Sequence, residues 1–279
     1  MNDTRRVITL GHSPDPDDAF MFYALAQDKI DTGGLRFDHI LQDIQTLNER
    51  ALRGELDITA ISVHAYAHVR GQYLLLNCGA SMGDGYGPMV VMKKAVAPDD
   101  LRNITIAIPG RLTSAALALK LRLGETPTAV VPFDQIIPAI IRGDYEAGLI
   151  IHEGQLTYAQ AGLECALDLG RWWKDETGLP LPLGVNAIRR DLGADLVGRL
   201  SRILSESIAY SLNHRADAVR YALSWARDMG ADLADRFVGM YVNDLTVDMG
   251  EAGRRAIREF LGRGARQGYV PGDVELDFA

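Results

Sequence analysis

The chain has 279 residues, 47% of them hydrophobic and 24% charged, the balance of an ordinary globular protein rather than a disordered or fibrous one. Its 29 basic and 37 acidic residues give a net charge of −8, and the cations are scattered, which argues against a nucleic-acid surface. No run reaches membrane-spanning length, the first residues lack the apolar core and cleavage site of a secretory signal, and Cys78 and Cys165 lack CxxC spacing. A cytoplasmic protein without a zinc or disulfide framework is therefore expected, long enough for one large core or two modest ones.

Residues 7–10 read as a strand and 19–27 as a buried helix. Between them, Ser13-Pro14-Asp15-Pro16-Asp17-Asp18 is a loop, because two prolines remove backbone donors and fix φ. Asp17 or Asp18 is placed to accept from the free N–H groups of the first helical turn. The same D-x-D-D run could hold a divalent cation, but the further oxygen ligands that a hard metal needs are not identifiable, and no metal is expected. Residues 35–40 alternate like a strand, and 44–52 follow as a helix that Gly54 ends in a left-handed conformation. The strand 57–61 ends at Ser62. His64 and His68 are one helical turn apart, yet H-E-x-x-H requires a glutamate where Ala65 stands, so a solvated helix face is expected there. The stretch 81–88 is rich in glycine, at Gly83, Gly85 and Gly87. It precedes the strand 89–92, whereas a phosphate loop follows a strand and opens a helix, so it reads as a tight or flexible loop at a cleft entrance.

Residues 93–100 mark a domain crossing. Beyond them come a strand at 104–108, a turn at 109–112 that contains Arg111, and an alanine- and leucine-rich helix opening at Thr113-Ser114. Free N–H groups at a helix start, two hydroxyls and Arg111 would together receive a carboxylate or phosphate, although N-capping explains the Thr113 hydroxyl equally well. A short strand at 129–132 and a short helix at 133–141 lead into Ala147-Gly148-Leu149-Ile150-Ile151-His152-Glu153-Gly154, a buried strand that delivers an imidazole at its end. The carboxyl ends of strands in α/β sheets open into the ligand crevice. An ordinary pKa near ~6.5 lets His152 accept a proton at neutral pH, which makes it the candidate general base. The plainer alternative is a strand-end histidine that only donates to a neighbouring carbonyl.

Leu52-Arg53-Gly54-Glu55-Leu56-Asp57 and Ile141-Arg142-Gly143-Asp144-Tyr145-Glu146 share one grammar, each preceding an apolar strand with a polar end. This weak repetition suggests two similar lobes, with Ser62 and His152 near a shared cleft. Trp172-Trp173 could wall a planar ligand, though core packing is the commoner use of tryptophan. Leu-Pro-Leu-Pro-Leu-Gly at 179–184 reads as the return crossing. From Asp195 onward Leu196, Leu200, Ile203, Leu204, Ile208 and Leu212 keep helical spacing, and Asp248 with Glu251 reads as a capping box for the last helix. The tail carries no catalytic constellation and reads as scaffold. The expected fold is α/β and two-lobed, each lobe a mixed sheet flanked by helices. Lobe 1 comprises residues 1–92 and 185–279, and lobe 2 residues 93–184.

The loop S-P-x-P-x-D-x-F, then P-G-R-x-T, G-L-I-I-H-E and L-P-L-P-L-G, in this order and spacing, resemble the 1,4-dihydroxy-6-naphthoate synthase family of the futalosine route to menaquinone. The likeness spans almost the whole chain, including residues 43–47, Tyr241-Val242-Asn243 and the region of Gly250. It implies the periplasmic-binding-protein-like (type 2) fold, used inside the cell as a lyase that cleaves cyclic dehypoxanthine futalosine without a metal or redox cofactor. By position it implies His152 as the base, Ser62 and Thr113-Ser114 as cleft residues near the substrate carboxylate, and Gly83, Gly85 and Gly87 at the cleft mouth. Asp18 and Arg111 complete the expected substrate-binding set. The family usually carries Ser-Pro-Cys-Pro-Asn-Asp-Thr where this chain has Ser13-Pro14-Asp15-Pro16-Asp17-Asp18-Ala19. Two extra carboxylates there disfavour an anionic ligand unless they point away or are neutralised. A chorismate dehydratase and a non-catalytic carboxylate-binding protein of the same fold remain open at this point. In each case the expected partner is a small carboxylate, not a nucleic acid or a membrane.

Overall fold

A computed structural model describes residues 6–224, 230–272 and 274–279. The chain opens with β1 (Arg6–His12), whose apolar residues Ile8 and Leu10 face inward. Pro16, with its pre-set φ, starts α1 (Pro16–Met21). The single helix expected over 19–27 begins earlier and is interrupted at Phe22, after which α2 (Tyr23–Ala26) follows. Next come β2 (Leu35–Leu41) and α3 (Ile44–Leu52). Asp43 Oδ1 caps α3 by accepting from Thr46 N at 3.1 Å. Just past its end Gly54 takes a φ of 64°, a conformation that costs glycine little. Then follow β3 (Ile58–Ser62), buried throughout, α4 (Val63–Val69), β4 (Tyr73–Leu75) and β5 (Ser81–Gly83).

The second sheet begins with β6 (Met89–Met92). It continues through β7 (Ile106–Ile108), α5 (Ser114–Leu123), β8 (Thr128–Val130), α6 (Ile136–Arg142), β9 (Ala147–Ile150), α7 (Gly154–Thr157), β10 (Glu164–Asp168) and α8 (Leu169–Thr177). Placing Met89–Met92 at the end of the first lobe is thus corrected: this strand pairs antiparallel with β9 and β10, so the chain crosses before Met89. β11 (Leu181–Arg189) returns to the first sheet, antiparallel to β3, β4 and β5. Among the described residues the first sheet runs β2-β1-β3-β11-β4 with β5 also on β11, and the second runs β10-β6-β9-β7-β8. Parallel pairing of β1 with β2 and β3, and of β7 with β8 and β9, sets strand ends side by side in each sheet.

Helices α9 (Ala194–Asn213), α10 (Arg215–Leu223), α11 (Ala231–Tyr241), α12 (Asp244–Val247) and α13 (Gly250–Arg266) complete the chain. The stripe of Leu200, Ile203, Leu204 and Ile208 on α9 is buried, and Leu200 and Leu204 belong to one core with Ile8, Leu10, Phe20 and Phe22. The capping box lies one helix earlier than expected. Asn243 Oδ1 accepts from Leu245 N at 3.0 Å and Thr246 Oγ1 accepts from Asn243 N at 3.1 Å, whereas Asp248 only accepts from Gly250 N. Trp173 is core rather than ligand wall: it is buried edge-on against Phe260, and its indole N–H donates to Pro180 O at 3.1 Å. The two sheets with their helices form the two lobes of an α/β fold, and the largest buried cluster joins them, from Ile61 and Leu181 to Leu117 and Leu149.

Candidate functional site

Between the sheets lies a cleft with about 740 Å³ of empty space, open solvent included. The loop after β1, the end of β3, the start of α5 and the end of α11 all reach it. Ser62, Thr113, Ser114 and Asp18 of the expected set line it, with Asp15 and Asp17 beside them. Arg111 is exposed, and neither it nor Gly83, Gly85 or Gly87 lines the cleft; Gly79, Ser81 and Pro88 do instead. Gly83 and Gly87 have a packing reason. A Cβ at Gly83 would meet the Tyr86 carbonyl, and Gly87 lies against the backbone of Gly170.

In the first loop, Asp18 does not cap α1. Its Oδ2 accepts from Ser13 N at 2.7 Å, and Ser13 Oγ accepts from Asp15 N at 3.0 Å, so the aspartate ties the loop to the end of β1. Behind it, His12 Nδ1–H donates to Ser13 O at 2.9 Å. That leaves His12 Nε2 to accept from His39 Nδ1 at 3.0 Å. Burial, then the neighbouring His39, lowers the His12 pKa to about 3, so the ring stays neutral. Burial also raises the carboxyl groups. Asp18 rises to about 7, and Asp17 is raised well above the usual carboxylate range by burial and then by the charges of Asp18 and Asp15. Two of the carboxyls at the cleft are therefore held toward their neutral forms, which removes much of their conflict with an anionic ligand.

The start of α5 is built from both lobes. Thr113 Oγ1 accepts from Ala116 N at 3.1 Å and donates to Gly110 O at 2.9 Å, which is N-capping. The N–H groups of Ser114 and Ala115 precede the first intrahelical bonds, and both residues face the cleft. Ser114 Oγ donates to Leu183 O at 2.5 Å and accepts from His64 N at 3.3 Å. His64 is thus not on a solvated face: it is buried, its Nδ1–H donates to Thr113 O at 3.2 Å, and burial lowers its pKa to about 4. His68 is exposed, as expected.

His152 stands one residue past Ile151, which lines the cleft, but its own ring does not. The side chain is buried, with Nε2–H donating to Phe133 O at 3.0 Å and Nδ1 accepting from Gly154 N at 3.0 Å. The ring is a neutral Nε2–H tautomer whose unprotonated nitrogen, Nδ1, is the one that could take a proton. Glu153 Oε2 lies 3.5 Å from that nitrogen.

Two residues that brace the cleft and two that line it from the tail also escaped the sequence reading. Asn48, fully buried, accepts from Ser62 N at 2.8 Å and donates to Ser62 Oγ at 3.0 Å and Leu112 O at 3.4 Å. Gln45 accepts from Leu112 N at 3.2 Å. Both bridge α3 to the turn before α5. Asn48 was detectable in principle, as a polar residue one turn after Ile44 on the apolar stripe of α3. Phe237 and Tyr241 line the cleft from the tail, which corrects its reading as scaffold. Tyr241 falls in a stretch of family likeness, but nothing local gives either residue a role in the cleft, because that depends on where α11 packs. Among the described residues no group of three or more His, Cys, Asp or Glu could hold a metal ion, and no helix is long and apolar enough to cross a membrane.

Comparisons with known proteins agree with this architecture. A family model described as menaquinone biosynthesis matches residues 8–266. The 1,4-dihydroxy-6-naphthoate synthase of Thermus thermophilus is 39% identical over 94% of this chain and 96% of its own length. Its Streptomyces coelicolor namesake is 37% identical over 95% of each. Among solved structures, the Archaeoglobus fulgidus protein AF1704 superposes with a TM-score of 0.91 at 45% identity, covering 95% of this chain and 98% of its own. The alkanesulfonate-binding protein SsuA of Xanthomonas axonopodis pv. citri, at 11% identity and a TM-score of 0.72 over 96% and 95% of the chains, shares the fold. The chain therefore belongs to the menaquinone-biosynthesis family, together with these 1,4-dihydroxy-6-naphthoate synthases.

Proposed function

We propose that the chain is a carbon-carbon lyase that converts cyclic dehypoxanthine futalosine to 1,4-dihydroxy-6-naphthoate. The observation that carries this reading is the convergence on one cleft of the α5 start, Ser62 and the strand end that leads into His152. The amides of Ser114 and Ala115 hold the substrate carboxylate, aided by the positive end of the helix dipole. Burial holds the carboxyls of Asp17 and Asp18 toward their neutral forms, which eases the approach of that anion. His152 removes the proton that starts the fragmentation, through Nδ1. For this the turn 152–154 must rotate so that the Gly154 N–H releases Nδ1, and the imidazolium then has the Glu153 carboxylate beside it.

The test is mass spectrometry of the products formed by purified protein from cyclic dehypoxanthine futalosine, with His152→Ala run in parallel. The expected result is naphthoate from the wild type and loss of turnover in a folded His152→Ala variant. Unchanged substrate with folded wild-type protein sinks the assignment. Naphthoate from both proteins sinks the role of His152 alone.

A further inference from the structure

We propose that Tyr241 is a positioning residue for this reaction, acting through Gln155: its hydroxyl reaches across the cleft and holds the turn that carries His152 against the first lobe. The inference rests on the reading of His152 as the base. Tyr241 ends α11, a helix packed on α1, α10 and β5, all first-lobe elements. Gln155 lies on the short helix α7 directly after His152, in the second lobe, and its N–H donates to His152 O at 2.9 Å. Between the two, Tyr241 OH donates to Gln155 Oε1 at 2.8 Å, in a contact that is buried on both sides.

The tyrosine ring is fixed before it meets its partner. Phe237 and Tyr86 pack edge-on against it, with ring centroids 5.2 and 5.7 Å away. The Tyr86 hydroxyl donates to Met240 O, and Thr246 Oγ1 donates to Tyr241 O at 2.8 Å, so the backbone at the end of α11 is held too. A side chain with few remaining rotamers makes a directional bond at small entropic cost. Gln155, in contrast, is satisfied on one side only: its Nε2 is buried and has no partner. An amide in that state is better hydrated when the cleft is open, so its burial is sustained by the tyrosine hydroxyl and is easily reversed. Weak, reversible closure suits a cleft that must admit substrate and release product. The same bond pins the segment 152–155 at one end, which limits the directions in which the His152 ring can turn toward bound substrate.

The test compares Tyr241→Phe, Gln155→Leu and the double variant with wild type by kcat and KM, with thermal melting as a control for folding. Tyr241→Phe removes one oxygen atom and is expected to fold and melt like wild type. Its kcat is expected to fall about tenfold, the scale of one hydrogen bond, with KM moved much less. Gln155→Leu should lose a similar factor, and the double variant no more than the larger single loss, because both act through one contact. A wild-type kcat in Tyr241→Phe overturns the proposal, as do losses that multiply in the double variant. If the wild-type protein fails to turn over cyclic dehypoxanthine futalosine, the functional reading falls, and the latch is then read without substrate by small-angle X-ray scattering. A larger radius of gyration for Tyr241→Phe supports it, and identical scattering overturns it.

Discussion

Asp18→Asn tests whether the cleft loop holds a neutral acid. The substitution keeps an oxygen that can accept from Ser13 N, now at 2.7 Å from the carboxylate, and removes the ability to ionise. In the folded protein, burial first and the Asp15 charge after it raise the Asp18 pKa from 3.8 to about 7, against hydrogen bonds from Ser13 that pull it down. Between about pH 4 and pH 7 the folded state therefore keeps a proton that the unfolded chain has released. Stability is greatest below that window and falls as pH rises through it. At about 1.4 kcal/mol per unit, a rise from 3.8 to about 7 corresponds to roughly 4 kcal/mol. Asp18→Asn is thus expected to match wild type near pH 4 and to exceed it at pH 8 by up to roughly 4 kcal/mol. Asp17 leaves a residual slope, since burial raises its carboxyl as well, and removing the Asp18 charge relieves only part of that. Urea unfolding of both proteins in steps from pH 4 to pH 8 measures the difference. A gap between them that stays constant across the series would refute the reasoning.

Three further substitutions probe the frame of the site. Thr113→Ala removes the cap of α5 and should cost about 1 kcal/mol by denaturant unfolding; a loss within error would mean that water replaces the hydroxyl at Ala116 N. Gly170→Ala sets a methyl onto the Tyr86 carbonyl and the Gly87 amide, both backbone, and should destabilise by about 1–3 kcal/mol while shifting the 83–87 loop. Unaltered stability and unaltered loop contacts in a crystal structure of that variant would contradict the packing argument. Trp173→Ala opens a cavity against Phe260 and orphans Pro180 O, so a loss of about 3–5 kcal/mol is expected in the same assay, and less than about 1 kcal/mol would show that the site collapses.

Elements with local signals were legible in the sequence. The helix Ile44–Leu52 carries its Gly54 terminator just past its end, and α9 shows its buried stripe as three- and four-residue spacing. The apolar run that ends at His152, and the hydroxyls at the start of α5, were equally visible, as was the two-lobed α/β fold that they serve. Side-chain direction was not. Asp17 or Asp18 reads as a cap for the first helical turn, and Asp18 instead accepts from Ser13 N at the end of β1, a partner set by how the loop folds back. His64 looked solvated until α4 packed under the N-terminus of α5.

The sequence by itself determined periodicity, turn chemistry and the residue types gathered toward the cleft, since these depend on neighbours a few positions apart, while the two-lobed architecture followed from a family likeness spread over the whole chain. Only the tertiary structure decided that Met89–Met92 pairs in the second sheet, that Asn48 and Gln45 tie α3 to the turn before α5, and that Tyr241 reaches Gln155 86 positions away. Those contacts join segments distant in the chain, and their geometry is set by how two packed lobes meet, which no short window of residues contains.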